Sequence, residues 1–198
     1  TSFKTKFPFS IVELSDDKFP LKAQLTGWSP FIPGDEDNSS MPFGALEYVF
    51  ENTSSQNIEA VFSFNSKNFL AEDKTAHTIE GTKNGFVLSQ PGTEEKPFLN
   101  AKFAFFTDDN GTKVDHCWFR GGWWDPLTMA WNAVRNGEII TNEPVKEHAP
   151  GASLYVPFSL APGAKKTIRL MTAWYVPNSN LKIGVNNSAE KAVCSAED

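Results

Sequence analysis

Cysteine and histidine are scarce in this sequence, and those present are widely scattered. The 198 residues include two cysteines, Cys117 and Cys194, and three histidines, His77, His116 and His148. The cysteines form no Cys-x-x-Cys pair, and the histidines have neither zinc-ligand spacing nor the company of a catalytic triad. We therefore predict no metal and no cofactor. The sequence leaves open whether the two cysteines form a disulfide.

Long apolar runs and an excess of positive charge are also absent. No stretch approaches the roughly 18 consecutive apolar residues that a membrane-spanning helix needs, so we predict no transmembrane segment. The formal net charge is −6. A surface of this sign repels a phosphate backbone, so nucleic acid is not an expected partner. Nothing in the sequence indicates a cellular compartment.

Aromatic and turn-forming residues are abundant instead, with 17 Phe, 6 Trp, 13 Gly and 13 Pro. The segments 45–51, 58–64 and 99–106 are rich in β-forming residues, and the last two alternate apolar and other side chains with a period of two. A β-sandwich of this length is commonly a single domain. We therefore predict an all-β, antiparallel β-sandwich over residues 1–180, followed by a polar tail or linker at 181–198.

Turn signals predict two hairpins within this sandwich. The sequence Asp109-Asn110-Gly111 is typical of a tight turn, because Asn and Gly tolerate a positive φ angle. Farther along the chain, a Pro-Gly pair at 162–163 separates two apolar strand segments and predicts the second hairpin.

One short helix is predicted near residues 126–136. Asp125 suits the N-cap and Pro126 the first helical position, where its missing N–H costs nothing. Gly137 suits the position just past the C-terminus, which often needs a left-handed backbone. Between them, Met129, Ala130, Ala133 and Val134 share one apolar face.

The segment 27–42 is the first candidate site. Its three prolines and two glycines predict irregular backbone, yet it carries Trp28, Phe31 and the acid Asp35. Long loops with aromatic anchors are often functional. The alternative is that these aromatic side chains only plug one end of the sandwich.

A second candidate is the segment 120–125, where two glycines precede Trp123, Trp124 and Asp125. Aromatic rings stack on the C–H faces of sugars, and a nearby carboxylate can bond to hydroxyl groups. The alternative is that the tryptophans belong to the core or to an interface. We hypothesise that both candidate segments lie at one end or face of the domain and form a contact surface there.

Catalysis by the chain alone is not indicated. A glycosidase needs two carboxylates held about 5–5.5 Å or 6.5–9.5 Å apart across the scissile bond. Acids such as Asp35, Asp115 and Asp125 have no spacing that selects such a pair. We therefore expect no catalytic residue here.

Several motifs resemble one family. The stretches QLTGWSPFIPGD at 24–35 and NSSMP at 38–42 resemble the N-terminal domain of the non-lysosomal glucosylceramidases and β-glucosidases, glycoside hydrolase family 116. The segments FNSKN at 64–68, FSLAPG at 158–163 and AWYVPN at 173–178 fit the same domain. The resemblance covers roughly 7–180, and its most specific part is the motif at 28–42.

The resemblance implies an N-terminal β-sandwich docked on an (α/α)6 barrel that holds the catalytic carboxylates. It also implies that further strands of the domain precede Thr1. The expected function is a non-catalytic domain that braces the barrel, with that catalytic domain as partner and a glucoside or oligosaccharide as ligand. The alternative is a free-standing carbohydrate-binding sandwich that uses exposed tryptophans. A third reading is an enzyme in its own right.

Overall fold

The computed structural model describes residues 1–72, 77–123 and 125–181. Of the polar tail predicted at 181–198, only Leu181 falls within these ranges, and Cys194 lies outside them. The described strands are Ser2–Lys6 (β1), Phe9–Leu14 (β2), Leu21–Trp28 (β3), Phe43–Asn52 (β4), Ile58–Lys67 (β5), Thr78–Thr82 (β6), Gly85–Gln90 (β7), Ala101–Thr107 (β8), Lys113–Asp115 (β9), Gly151–Leu160 (β10) and Lys165–Tyr175 (β11). The helices are Glu36–Ser39 (α1) and Pro126–Arg135 (α2), with a 3-10 turn at Pro97–Leu99.

The strands form two antiparallel sheets of unequal width. The large sheet has eight strands in the order β1-β2-β3-β4-β11-β8-β7-β6, and the small sheet has three in the order β5-β10-β9. The predicted all-β, antiparallel sandwich is confirmed. No helix in the described ranges is long and apolar enough to cross a membrane.

Alternating aromatic side chains hold the two sheets together. From β5, Phe62 packs on Tyr48 of β4 with ring centroids 4.8 Å apart, and Phe64 packs on Phe105 of β8 at 4.7 Å. Residues two apart on a strand face the same side, so the period of two seen in the sequence places both rings in the core. The predicted strand at 58–64 is confirmed, and the one predicted at 99–106 is confirmed from Ala101 onward, because Leu99 belongs to the preceding 3-10 turn.

Strand β10 is buried on both faces over its first six residues, Gly151 to Val156. It is the central strand of the small sheet, and its inner side faces the large sheet. Helix α2 lies against the neighbouring strand β5 and buries Ala130 and Ala133. Small alanine side chains allow the helix to approach β5 closely, although Glu59 and Val61 of that strand remain exposed.

The ends of α2 follow the sequence signals. The Asp125 carboxylate accepts hydrogen bonds from the backbone N–H groups of Leu127 and Thr128, as an N-cap should. At the other end, Gly137 has a φ of +69°, and the Glu138 N–H donates to the Ala133 carbonyl at 2.9 Å. This Schellman closure needs a left-handed residue, which glycine supplies without strain. The predicted helix is confirmed.

Both predicted hairpins are wrong. The turn at 109–111 joins β8 of the large sheet to β9 of the small sheet, and neither Asn110 nor Gly111 has a positive φ. A two-residue hairpin turn does occur elsewhere, between β6 and β7, where Lys83 and Asn84 form the turn and Asn84 has a φ of +57°. The Pro-Gly turn at 162–163 likewise joins β10 to β11 across the two sheets. A turn sequence reverses the chain but does not determine which sheet the next strand enters.

Asn52 ties together two of the connections that cross between the sheets. Its side-chain amide donates to the carbonyls of Gln56 at 2.7 Å and Leu160 at 2.9 Å. Its side-chain oxygen accepts from the Ser54 N–H at 2.8 Å, and its backbone N–H donates to the Ala164 carbonyl at 3.1 Å. Asn52 therefore links the β4–β5 connection to the β10–β11 connection.

We predict that Asn52→Ala destabilises the chain by about 2–3 kcal/mol, because it leaves buried carbonyl groups without a donor. In a chain of this size, the midpoint temperature of thermal unfolding should fall by roughly 5–10 °C. Differential scanning calorimetry measures the change. The matched control is Asn110→Ala, since Asn110 is exposed. Equal melting temperatures for both variants would contradict the role given to Asn52.

Candidate functional site

The loop at 28–42 is more regular than predicted. Trp28 is the last residue of β3 and pairs with Ala45 of β4. One helical turn, α1, follows, and the Asp35 carboxylate caps it by accepting from the Asn38 N–H at 3.0 Å. The prediction of a wholly irregular segment is wrong, because the prolines and glycines flank this turn and a capping aspartate starts it.

This loop is closed on itself and carries its apolar side chains on the outside. The Ser39 hydroxyl accepts from the Ile32 N–H at 2.9 Å and donates to the Ile32 carbonyl at 3.1 Å. Phe31 is 47% exposed and contacts the ring of Phe7 edge-on at 4.8 Å. Trp28 is half-buried against Phe43, with centroids 6.0 Å apart. Trp28 thus lies at the base of a loop whose outer apolar side chains, Phe31, Ile32 and Met41, remain accessible.

A row of aromatic side chains continues from the end of this loop. The backbone N–H of Trp174, near the end of β11, donates to the Pro42 carbonyl at 3.0 Å. The Trp174 ring stacks on Phe103 at 5.9 Å, and Phe69 meets Phe103 edge-on at 5.1 Å. Phe69 lies two residues after the end of β5. The row of aromatic side chains therefore extends from the loop at 28–42 to the end of the small sheet at which β5 finishes.

The segment at 121–125 lies at that end too. The chain leading into it is fixed there, because the Trp118 N–H donates to the Gly151 carbonyl at 3.0 Å and Gly151 pairs with Lys67, the last residue of β5. Trp123 is 95% exposed. A Cβ on Gly121 would lie 2.0 Å from Cζ of Phe119, so a larger residue there would displace that ring. Trp124 lies outside the described residues.

We call this surface the aromatic end. Its exposed members are Phe7, Phe31, Phe69, Trp123, Trp174 and Tyr175. Within the described ranges, no hydrogen bond, ion pair or ring contact joins the segment 28–42 directly to 121–125. Their common role as one contact surface stays a prediction.

Sequence reasoning did not single out Phe69, Trp174 and Tyr175. The available signal was the run of three large residues, Trp174 to Val176, immediately before Pro177. A strand that stays aromatic to its last residue on both faces has few solvated positions, which indicates a contact at its end.

The two candidate acids act as helix caps. Hydrogen bonds from Asn38, first from its backbone N–H, hold the pKa of Asp35 below its ordinary value. The Thr128 hydroxyl, with the backbone N–H groups of Leu127 and Thr128, lowers the pKa of Asp125. A proton donor in glycoside hydrolysis needs a raised pKa, so neither acid suits that role.

No group of three or more His, Cys, Asp or Glu side chains suited to holding a metal ion occurs among residues 1–72, 77–123 and 125–181.

The comparison with protein families bears directly on this domain. Residues 1–191 match the family model described as beta-glucosidase 2, glycosyl-hydrolase family 116 N-term. The chain belongs to this family. The match agrees with the resemblance inferred from the motif at 28–42. It covers every residue that the structure describes. The search of curated proteins found no match.

We predict that truncating two tryptophans of the family 116 domain changes its stability by different amounts. Trp123→Ala should change the free energy of unfolding by less than about 0.5 kcal/mol, because the ring is exposed. Trp28→Ala should cost about 2 kcal/mol, roughly half of a fully buried truncation, because the ring packs on Phe43. Urea unfolding followed by circular dichroism measures both. A large loss for Trp123→Ala would make that ring part of the core.

Proposed function

We propose that this chain is a non-catalytic family 116 domain that braces an (α/α)6 catalytic barrel through its aromatic end. Membership of a family described as the N-terminal part of a glycosyl hydrolase supports a catalytic partner. The observation that carries the proposal is the concentration of exposed aromatic side chains at one end of the sandwich. Such patches on a soluble domain mark interaction sites.

The composition of the aromatic end suits a protein interface. Interface centres are enriched in Trp, Tyr and Phe, and a few of these anchors supply most of the binding energy. Trp123 at 95% exposed and Tyr175 at 60% exposed have most of their surface left to bury. They are the anchors that we assign to the barrel contact.

A polar rim lies beside these anchors. Glu36 and Asp37 in the first turn of α1 are exposed, and neither makes an ion pair within the part of the chain that the structure describes. Charges at an interface rim mainly steer association and select the partner. We expect basic side chains on the facing surface of the barrel.

A second candidate function is carbohydrate binding by Trp123. Its nearly complete exposure favours this, because a sugar can stack on an uncovered indole ring. The two proposed functions differ in what contacts the Trp123 ring. In carbohydrate binding it is a glucoside or oligosaccharide, and in the bracing role it is the barrel.

We predict that the 198-residue chain binds a separately produced family 116 barrel, and that Trp123→Ala and Tyr175→Ala each weaken this binding. Truncation of a buried aromatic anchor costs about 2 kcal/mol or more, which is roughly a 30-fold loss of affinity. Isothermal titration calorimetry gives the dissociation constants.

The matched control is Phe3→Ala. Phe3 is 66% exposed but lies on β1, near the strand end opposite Phe7. Its truncation should leave the affinity unchanged. If the barrel does not bind, or if Phe3→Ala weakens binding as much as Trp123→Ala, the bracing role is refuted.

A further inference from the structure

A separate cavity of about 440 Å³ lies between helix α2 and the chain that follows β9. Its polar lining residues are Asp115, Asn132, Asn136, Glu138 and Asn142, and the other lining side chains are apolar. Small-molecule sites are usually clefts of about 300–1,000 Å³ with apolar walls and a few convergent polar groups. This cavity has that size and that mixture.

A buried carboxylate forms part of its lining. Asp115 is only 3% exposed. Its Oδ1 accepts from the Cys117 N–H at 3.1 Å and from the Asn142 side-chain amide at 2.9 Å. Its Oδ2 accepts no hydrogen bond from the described residues, so it is the atom left to accept one from a ligand. Burial raises the pKa of Asp115.

The position of Asp115 is fixed by its neighbours. The same Asn142 amide that bonds to Asp115 also donates to the Cys117 carbonyl at 3.1 Å. The backbone of Asn142 is held in turn, because its carbonyl accepts from the His116 N–H at 3.0 Å. A preorganised acceptor of this kind loses little entropy when a ligand binds.

Amide side chains line the outer part of the cavity. Asn132 and Asn136 are exposed, and Asn136 donates to the Glu138 carboxylate at 3.0 Å. A side-chain amide can donate and accept at once, as a hydroxyl group can. Such amides therefore complement a ligand that carries several hydroxyl groups.

The remaining walls are apolar. Phe119, Met129 and Ile140 line the cavity beside these polar groups. An apolar wall opposite hydrogen-bonding groups suits a ring with one C–H-rich face and hydroxyl groups at its edge.

The lining disfavours anionic ligands, because it contains no lysine or arginine. Its two carboxylates already accept hydrogen bonds, Asp115 from Cys117 and Asn142, and Glu138 from Asn136. A neutral ligand with hydroxyl groups can extend these hydrogen bonds without adding charge.

We propose that this cavity binds one pyranose ring, with Asp115 Oδ2 accepting from a ring hydroxyl group and Asn132 and Asn136 bonding to others. The site adjoins the aromatic end, since its wall Phe119 lies next to Gly121, but binding there does not require a barrel.

Nuclear magnetic resonance titration of the 198-residue chain tests this site. The probes are D-glucose, D-galactose, D-mannose and N-acetyl-D-glucosamine, with tetramethylammonium chloride and sodium sulfate as a cation and an anion. We expect saturable shifts of the backbone amide signals of residues 117–119 and 132–138 with at least one sugar, and none with either salt.

Two variants locate the binding. Asp115→Asn keeps an oxygen for the Cys117 and Asn142 donors but replaces the free acceptor, and should raise the sugar dissociation constant at least roughly tenfold, the effect of losing one hydrogen bond to a charged group. Asn132→Ala changes an exposed helix position and should raise it several-fold. The controls are Asp17→Asn, which makes the same charge change at an exposed site, and Arg135→Ala on the helix that carries Asn132.

The proposal is overturned if no sugar gives a saturable shift, or if the shifts cluster at 28–42 or 121–123 instead. It is also overturned if tetramethylammonium binds in place of the sugars. Because Asn132→Ala leaves the buried network intact, it decides the case should Asp115→Asn fail to fold. If Asn132→Ala then binds the sugar as tightly as the Arg135→Ala control does, the assignment is refuted.

Discussion

The layer of aromatic rings between the two sheets is the constraint on which the rest of this structure depends. Phe50 contacts both Phe62 and Phe158, with centroids 6.1 and 5.4 Å apart, so three strands from two sheets meet at one side chain. The small sheet supplies three strands against eight, and it cannot cover the whole face of the larger one. Aromatic side chains beyond its reach remain exposed, and those at one end form the surface that we assign to a partner.

The sequence could predict the local features of the fold but not the pairing of its strands. The helix at 126–135 followed from Asp125, Pro126 and Gly137, because capping involves only neighbouring residues. The alternation in β5 likewise predicted which side chains share a face. The strands β10 and β11 were misassigned to one hairpin, since the choice between sheets depends on packing and on long-range bonds such as that from Asn52 to Leu160, 108 residues apart.

In the candidate sites, too, local features could be predicted from the sequence and long-range contacts could not. Trp28, Phe31 and Trp123 could be selected from the sequence because large aromatic residues beside Pro or Gly are conspicuous there. The capping roles of Asp35 and Asp125 became clear only from their hydrogen bonds. The contact between Phe69 and Phe103, like the bond from Asn142 to Asp115, joins residues distant in the chain. No short motif marks such a pair.

The central claim is that the aromatic end is the surface covered by the catalytic barrel. Hydrogen–deuterium exchange on the 198-residue chain, alone and with a family 116 barrel, tests it most directly. The account predicts slower exchange in peptides covering 28–42, 118–123 and 172–177 and unchanged exchange in those covering 14–21 at the opposite end. Protection confined to 14–21, or no protection anywhere in the presence of the barrel, would contradict it.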